Sequence, residues 1–96
     1  MSAFLLFDDL EVLDPEKLEA YARDAAPIVE RFHGKYRSVG GETRVLEGSG
    51  SPKGPVLIEF DNAVAALEWY NSDAYRPLKA RRQEAVACNS VLIEGG

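Results

Sequence analysis

The stretch 3-AFLLFDDLEV-12 has the composition of a β-strand, and its segment 4-FLLF-7 is apolar at four consecutive positions. Side chains along a strand point alternately to opposite faces, so such a run is greasy on both sides of the sheet it joins. It stops at 14-DP-15, where Asp can cap a helix and Pro fits the first helical position. From there Leu18, Tyr21, Ala22, Ala25, Ile28, Val29 and Phe32 follow the three-and-four spacing of a helix laid on a core. This first helix is predicted to run to about His33, with Gly34 as its C-cap and Pro27 as an internal bend.

Beyond it, 35-KYRSVGGETRVLEG-48 has strand composition on both sides of Gly40-Gly41, which reads either as a two-residue hairpin turn or, the favoured reading, as a bulge in one long bent strand. The loop 49-SGSPKG-54 leads to 55-PVLIEFD-61, a short apolar strand returning antiparallel to the preceding one. Asp61 or Asn62 then caps a helix through Ala63, Ala66, Leu67 and Tyr70. Ser72 opens another, interrupted early by Pro77, and 86-VACNSVLIEGG-96 is a last strand. The order β-α-β-β-α-α-β predicts an α+β chain, a ferredoxin-like antiparallel sheet with helices on one face, formed by residues 1–96 as a single domain.

Helices cover only one face of a small sheet in that topology. Val56, Ile58 and Phe60 share one side of their strand and Leu57 and Glu59 the other; Val91 and Ile93 oppose Leu92. The expected leftover apolar surface is Leu57, Leu92 and two of Phe4, Leu5, Leu6 and Phe7. A second copy of the chain is the economical cover, at roughly 800 Å² buried per partner. A homodimer is therefore predicted.

Composition narrows the partners. With 46% hydrophobic and 28% charged residues the chain is that of a globular protein with a packed core. Eleven Lys and Arg against sixteen Asp and Glu leave a net charge of -5, which opposes non-specific attraction to nucleic acid or anionic membranes. The apolar run 3-AFLLF-7 is too short for a signal sequence or a membrane span, and a cytoplasmic protein is expected. Cys88 is the only cysteine and His33 the only histidine, a poor start for a transition-metal site; no metal and no cofactor are predicted. The loop 48-GSGSPKG-54 lacks the order of a phosphate-binding loop, and neither G-x-S-x-G nor H-E-x-x-H occurs.

The elements 33-HGKYRSVGGETRVLEG-48, 57-LIEF-60 and 69-WYNSDAY-75 resemble the family called domain of unknown function 1330, small members of the dimeric α+β barrel superfamily. The resemblance covers nearly the whole chain. It implies a ferredoxin-like subunit whose dimer forms a barrel between facing sheets, with a cleft between sheet and helices. Superfamily relatives include cofactor-free monooxygenases, muconolactone-isomerase-like enzymes, chlorite-dismutase-like haem proteins and members with no assigned reaction. The sequence departs from the family pattern at Lys35, where a second Gly is common, and at Asp73, where Pro is more frequent.

Five residues are candidates for a site. His33 can serve as a helix-terminal group favoured by the dipole, or as a proton carrier, having an unperturbed pKa near neutrality. Glu59 points away from the helix-covered side, so it needs an ion pair with an arginine such as Arg44 or Arg82, or acts as a pocket acid. Trp69 and Tyr70 lie about 100° apart around their helix, with Trp69 assigned to the rim or an interface and Tyr70 to the core. Tyr75 and Arg82 share an inward stripe with Leu78 and Ala85, where a guanidinium needs a carboxylate or an anionic ligand. Arg76, Lys79 and Arg81 fall on the solvated side. The expected function is binding of a small carbonyl- or carboxylate-bearing metabolite, with Tyr75, Arg82 and Trp69 around it. If catalysis occurs, it is proton transfer or cofactor-independent oxygenation with His33 or Glu59 as base. The alternative is a non-catalytic dimeric ligand-binding or structural module.

Overall fold

The computed structural model describes residues 2–50 and 54–95. The loop expected at 49–54 therefore lies partly outside the described residues, Lys53 included. Strand β1 is Ala3–Val12, helix α1 Pro15–Arg31, β2 Lys35–Val39, β3 Val56–Phe60, α2 Ala63–Tyr70, α3 Arg76–Ala85 and β4 Val86–Glu94. The four strands form one antiparallel sheet in the order β2-β3-β1-β4, the ferredoxin-like arrangement.

The helix starts obey local chemistry. Asp14 accepts from Lys17 N at 3.1 Å with Pro15 following, and Asn62, rather than Asp61, accepts from Ala65 N at 2.8 Å. Ser72 does not open the third helix. Its hydroxyl accepts from Tyr75 N at 3.2 Å and donates to the Trp69 carbonyl at 2.8 Å, closing a separate turn. Helix α3 begins at Arg76, so Pro77 sits in the first turn, where its missing N–H costs nothing, instead of interrupting a longer helix.

The end of α1 also differs from expectation. Phe32 is the C-cap, His33 N–H donates to Glu30 O and Gly34 N–H to Val29 O, and His33 takes the left-handed conformation at φ 64°. The helix thus closes in a Schellman motif whose left-handed position is filled by His33, not Gly34. Gly34 is needed for space. A methyl group there would fall 2.7 Å from Val29 Cγ1 and 2.8 Å from the Phe60 ring. Gly34→Ala is expected to lower stability by about 1–3 kcal/mol through overpacking, read as a lower urea midpoint with an unchanged slope.

The long bent strand through Gly40-Gly41 is not formed. Strand β2 ends at Val39, which pairs with Val56 at the first residue of β3, and residues 41–46 have no regular structure. Past that pair one bond follows, from Gly40 N–H to Pro55 O at 3.1 Å; Pro55 has no N–H to return, and Gly40, at φ 62°, turns the chain away.

On the helix side of the sheet, Leu5, Phe7, Ile58 and Phe60 meet Ala25 and Val29 of α1, Ala66 and Trp69 of α2, and Tyr75 and Leu78. The cross-strand register sorts the other face. Leu6 lies between Leu57 and Val91, and Phe4 between Glu59 and Ile93, all turned from the helices. Leu92 was expected among them but pairs with Leu5 and packs on the core, so Val91 and Ile93, 44% and 42% exposed, take the open side instead. Among the described residues no helix is long and apolar enough to cross a membrane.

Candidate functional site

Helix α3 carries its inward stripe as the spacing predicts: Leu78, Arg82 and Ala85 are buried, continuing from Tyr75 just before the helix. The outward cations are less idle than a solvated face implies. Arg76 pairs with Asp73 at 2.9 Å, Arg81 reaches Asp24 of α1 at 2.9 Å, and Lys79 stands 4.2 Å above the Tyr70 ring.

Arg82 is 5% exposed. Its guanidinium stacks 4.8 Å over the Phe7 ring, and Nη1 donates to Cys88 Sγ and Ser90 Oγ, both at 3.3 Å. Among the described residues no carboxylate stands within ion-pairing distance of it, and buried Nε has no partner. Glu59 does form the expected ion pair with an arginine, but its partner is Arg37, at 2.7 Å on the open face, rather than Arg44 or Arg82, and it also accepts from the Ser2 hydroxyl at 2.7 Å. The hydrogen bonds from Ser2 and Arg37 hold the Glu59 carboxyl below its ordinary pKa.

Arg82 borders a cavity of about 250 Å³ between α1 and the sheet. Its walls are mostly apolar, with Leu18, Ala22 and Ala26 from α1 facing Phe7, Val56 and Ile58 from the sheet. Four polar side chains join them: Arg82, Asp9, Tyr21 and Tyr36. Asp9, on β1, is 8% exposed, and burial raises its carboxyl pKa more than the Cys88 thiol and the Arg82 charge lower it. Burial likewise lifts the phenol of Tyr36, to about 12, and that of Tyr21 further, so both stay protonated donors at neutral pH. The Tyr21 and Tyr75 hydroxyls are 2.7 Å apart, and Tyr75, itself fully buried, thereby reaches the cavity through Tyr21.

Trp69 and Tyr70 exchange the places expected of them. Trp69 is 0% exposed, with its ring centroid 4.1 Å from Tyr75 and 5.7 Å from Phe60, while Tyr70 is half-buried under Lys79. The buried positions of α2 are Ala66 and Trp69, one turn apart and directed at the sheet, and Tyr70 is rotated off that line. His33 is exposed at the end of α1 and, like Glu59, does not border the cavity. Of the five sequence candidates, the structure brings together Arg82, Tyr75 and Trp69, with only Arg82 on the cavity wall.

Asp9, Tyr21 and Tyr36 were not singled out from sequence. Asp9 left a legible signal, as the acid that continues the buried alternation Ala3, Leu5, Phe7. Tyr21 looked like any other apolar stripe residue, and Tyr36 depends on the pairing of β2 with β3.

No curated protein sequence matches the chain. Solved structures match across nearly its full length. A protein of unknown function from Rhodopseudomonas palustris aligns with a TM-score of 0.77 and 22% identity, covering 99% of this chain and 82% of that one. A dimeric ferredoxin-like protein of unknown function from Jannaschia sp. aligns at 0.78 and 11% identity, covering 99% and 100%. SnoaB, a cofactor-independent oxygenase from Streptomyces nogalater, aligns at 0.64 and 10% identity, covering 99% and 92%. At these identities the likeness is one of fold. Residues 2–96 match the domain of unknown function DUF1330, and the chain belongs to that family.

Proposed function

We propose that this protein is a homodimer that binds a small carbonyl- or carboxylate-bearing molecule between α1 and the sheet, with Arg82 holding the ligand oxygen. The observation that carries the reading is the buried guanidinium of Arg82, which lies on a largely apolar cavity wall without a carboxylate ion-pair partner among the described residues. A charge taken out of water is costly unless it is paired, and a ligand oxyanion in the cavity supplies the missing pair. The Tyr21 phenol, backed by Tyr75, adds a neutral donor. Trp69 supports Tyr75 from behind. Such a site suits proton transfer next to a carbonyl or oxygenation without a cofactor, and SnoaB, which shares the fold, is a cofactor-independent oxygenase. The dimer reading draws on the open face of Phe4, Leu6, Leu57, Val91 and Ile93, and on the likeness to the dimeric Jannaschia protein.

Arg82→Met separates a ligand anchor from a structural arginine. With phenylacetate as probe, followed by amide chemical shifts, the variant is expected to bind about 10- to 150-fold more weakly, the worth of a charge-assisted hydrogen bond. Its urea midpoint should hold or rise, because an unpaired buried charge has been replaced by an apolar side chain of similar length. Unchanged binding in a destabilised protein would assign Arg82 to the scaffold.

A further inference from the structure

We infer that Asp9 is the proton-transferring group of this cavity, acting on a carbon beside a carbonyl whose oxygen is held by Arg82. The substrate class that follows is a compact, apolar-bodied, enolisable oxo acid. The inference rests on the reading of the cavity as a ligand site and adds to it the base and the type of substrate. A volume of about 250 Å³ takes on the order of ten non-hydrogen atoms, judged against the volume a water occupies. Apolar walls suit a hydrocarbon or ring body, and the Arg82 guanidinium suits one acidic head.

Geometry singles out Asp9. It borders the same cavity as Arg82, is 8% exposed, and stands opposite Cys88 in the β1–β4 ladder, the residue whose sulfur accepts from Arg82 Nη1. The ladder shifts register between Asp9 and Glu11, an irregularity of the kind that re-aims side chains beside active sites. Asp9 and Arg82 are neighbours without being an ion pair, so neither neutralises the other, and Arg82 Nε is left without a partner while the Asp9 carboxylate, supported by the Cys88 thiol, keeps lone pairs for a proton. The groups around Asp9 are Arg82 from α3 and Cys88 from β4, which favour the carboxylate, Asp8 on its own strand, which opposes it, and Tyr21 from α1 across the cavity. Burial outweighs them and makes Asp9 a stronger base than an exposed carboxylate.

In the step, the C–H bond breaks and its proton passes to an Asp9 oxygen. The released pair forms the C=C bond as the carbonyl π pair moves onto oxygen, giving an enolate balanced by Arg82. Return of the proton to the same or a conjugated carbon restores Asp9, so nothing is oxidised and no co-reactant is consumed.

The test follows deuterium uptake at the methylene carbon of phenylpyruvate in D2O by proton NMR. Wild-type protein is expected to accelerate uptake saturably over buffer. Asp9→Asn should lose on the order of 100-fold or more of that rate while binding phenylacetate at least as tightly as the wild type, because a carboxylate that repels the probe is gone. The variant should fold. A carboxyl whose folded pKa is raised withdraws stability as pH climbs from its unfolded value through the folded one, so Asp9→Asn should match or exceed the wild-type urea midpoint near about pH 7 and converge with it near about pH 3. Uptake at the buffer rate by a wild type that binds phenylacetate, or wild-type uptake by Asp9→Asn, would overturn the assignment. Failure of phenylacetate to bind the wild type would strike the ligand site itself.

Discussion

Trp69→Ala is expected to remove about 3–5 kcal/mol of stability, the range for deleting a fully buried aromatic side chain. The ring is 0% exposed and stands against Tyr75 at 4.1 Å, Phe60 at 5.7 Å and Phe7 at 6.2 Å, the last edge-to-face at 78°. Those three neighbours come from the α3 approach, β3 and β1, so the cavity left behind cannot be closed by moving one element. Domains of this size are held by roughly 5–15 kcal/mol in total, and the loss is a large part of that. Urea denaturation followed by far-ultraviolet circular dichroism measures it. A cost below about 1 kcal/mol would mean that Trp69 lies at a rim after all.

Leu6→Lys is expected to leave the subunit folded and to break the proposed dimer. Leu6 lies at the middle of the open face, between Leu57 and Val91, so a second sheet laid there would enclose an unpaired ammonium. An uncompensated buried charge costs about 3–5 kcal/mol. That weakens association by roughly 100- to several-thousand-fold, enough to turn a micromolar-range dimer into a monomer at the same concentration. Sedimentation velocity reads the mass and circular dichroism the fold. A wild type that sediments as a monomer at micromolar concentration would remove the dimer, whereas a dimeric Leu6→Lys would move the interface to another face.

Much of this architecture was legible in the residues. The run 3-AFLLFDDLEV-12 is β1 to the residue, and the spacing Tyr75, Leu78, Arg82, Ala85 marks the buried side of α3. Both are statements about one element and its own period, which is local chemistry. The misreadings concern meetings between elements. Leu92 and Val91 exchanged faces because the register of β4 against β1 decides which parity looks at the helices. Trp69 went inward because α2 lies on the sheet along Ala66 and Trp69, a rotation that a helix with apolar residues on several sides leaves open. Glu59 met Arg37, twenty-two residues earlier, because β2 and β3 pair directly.

The site divides the same way. By itself the sequence determined that Arg82 is carried inward, since a helix in that frame has no other place for it than the side of Leu78 and Ala85. What the guanidinium finds there was decided only by the tertiary structure: a phenyl face, a thiol and a hydroxyl as its direct contacts, with Asp9 and Tyr21 bordering the same hollow. The physical reason is that periodicity gives a side chain's direction relative to its own axis, while the distance to a partner on another element depends on strand order, register and the depth at which each helix packs.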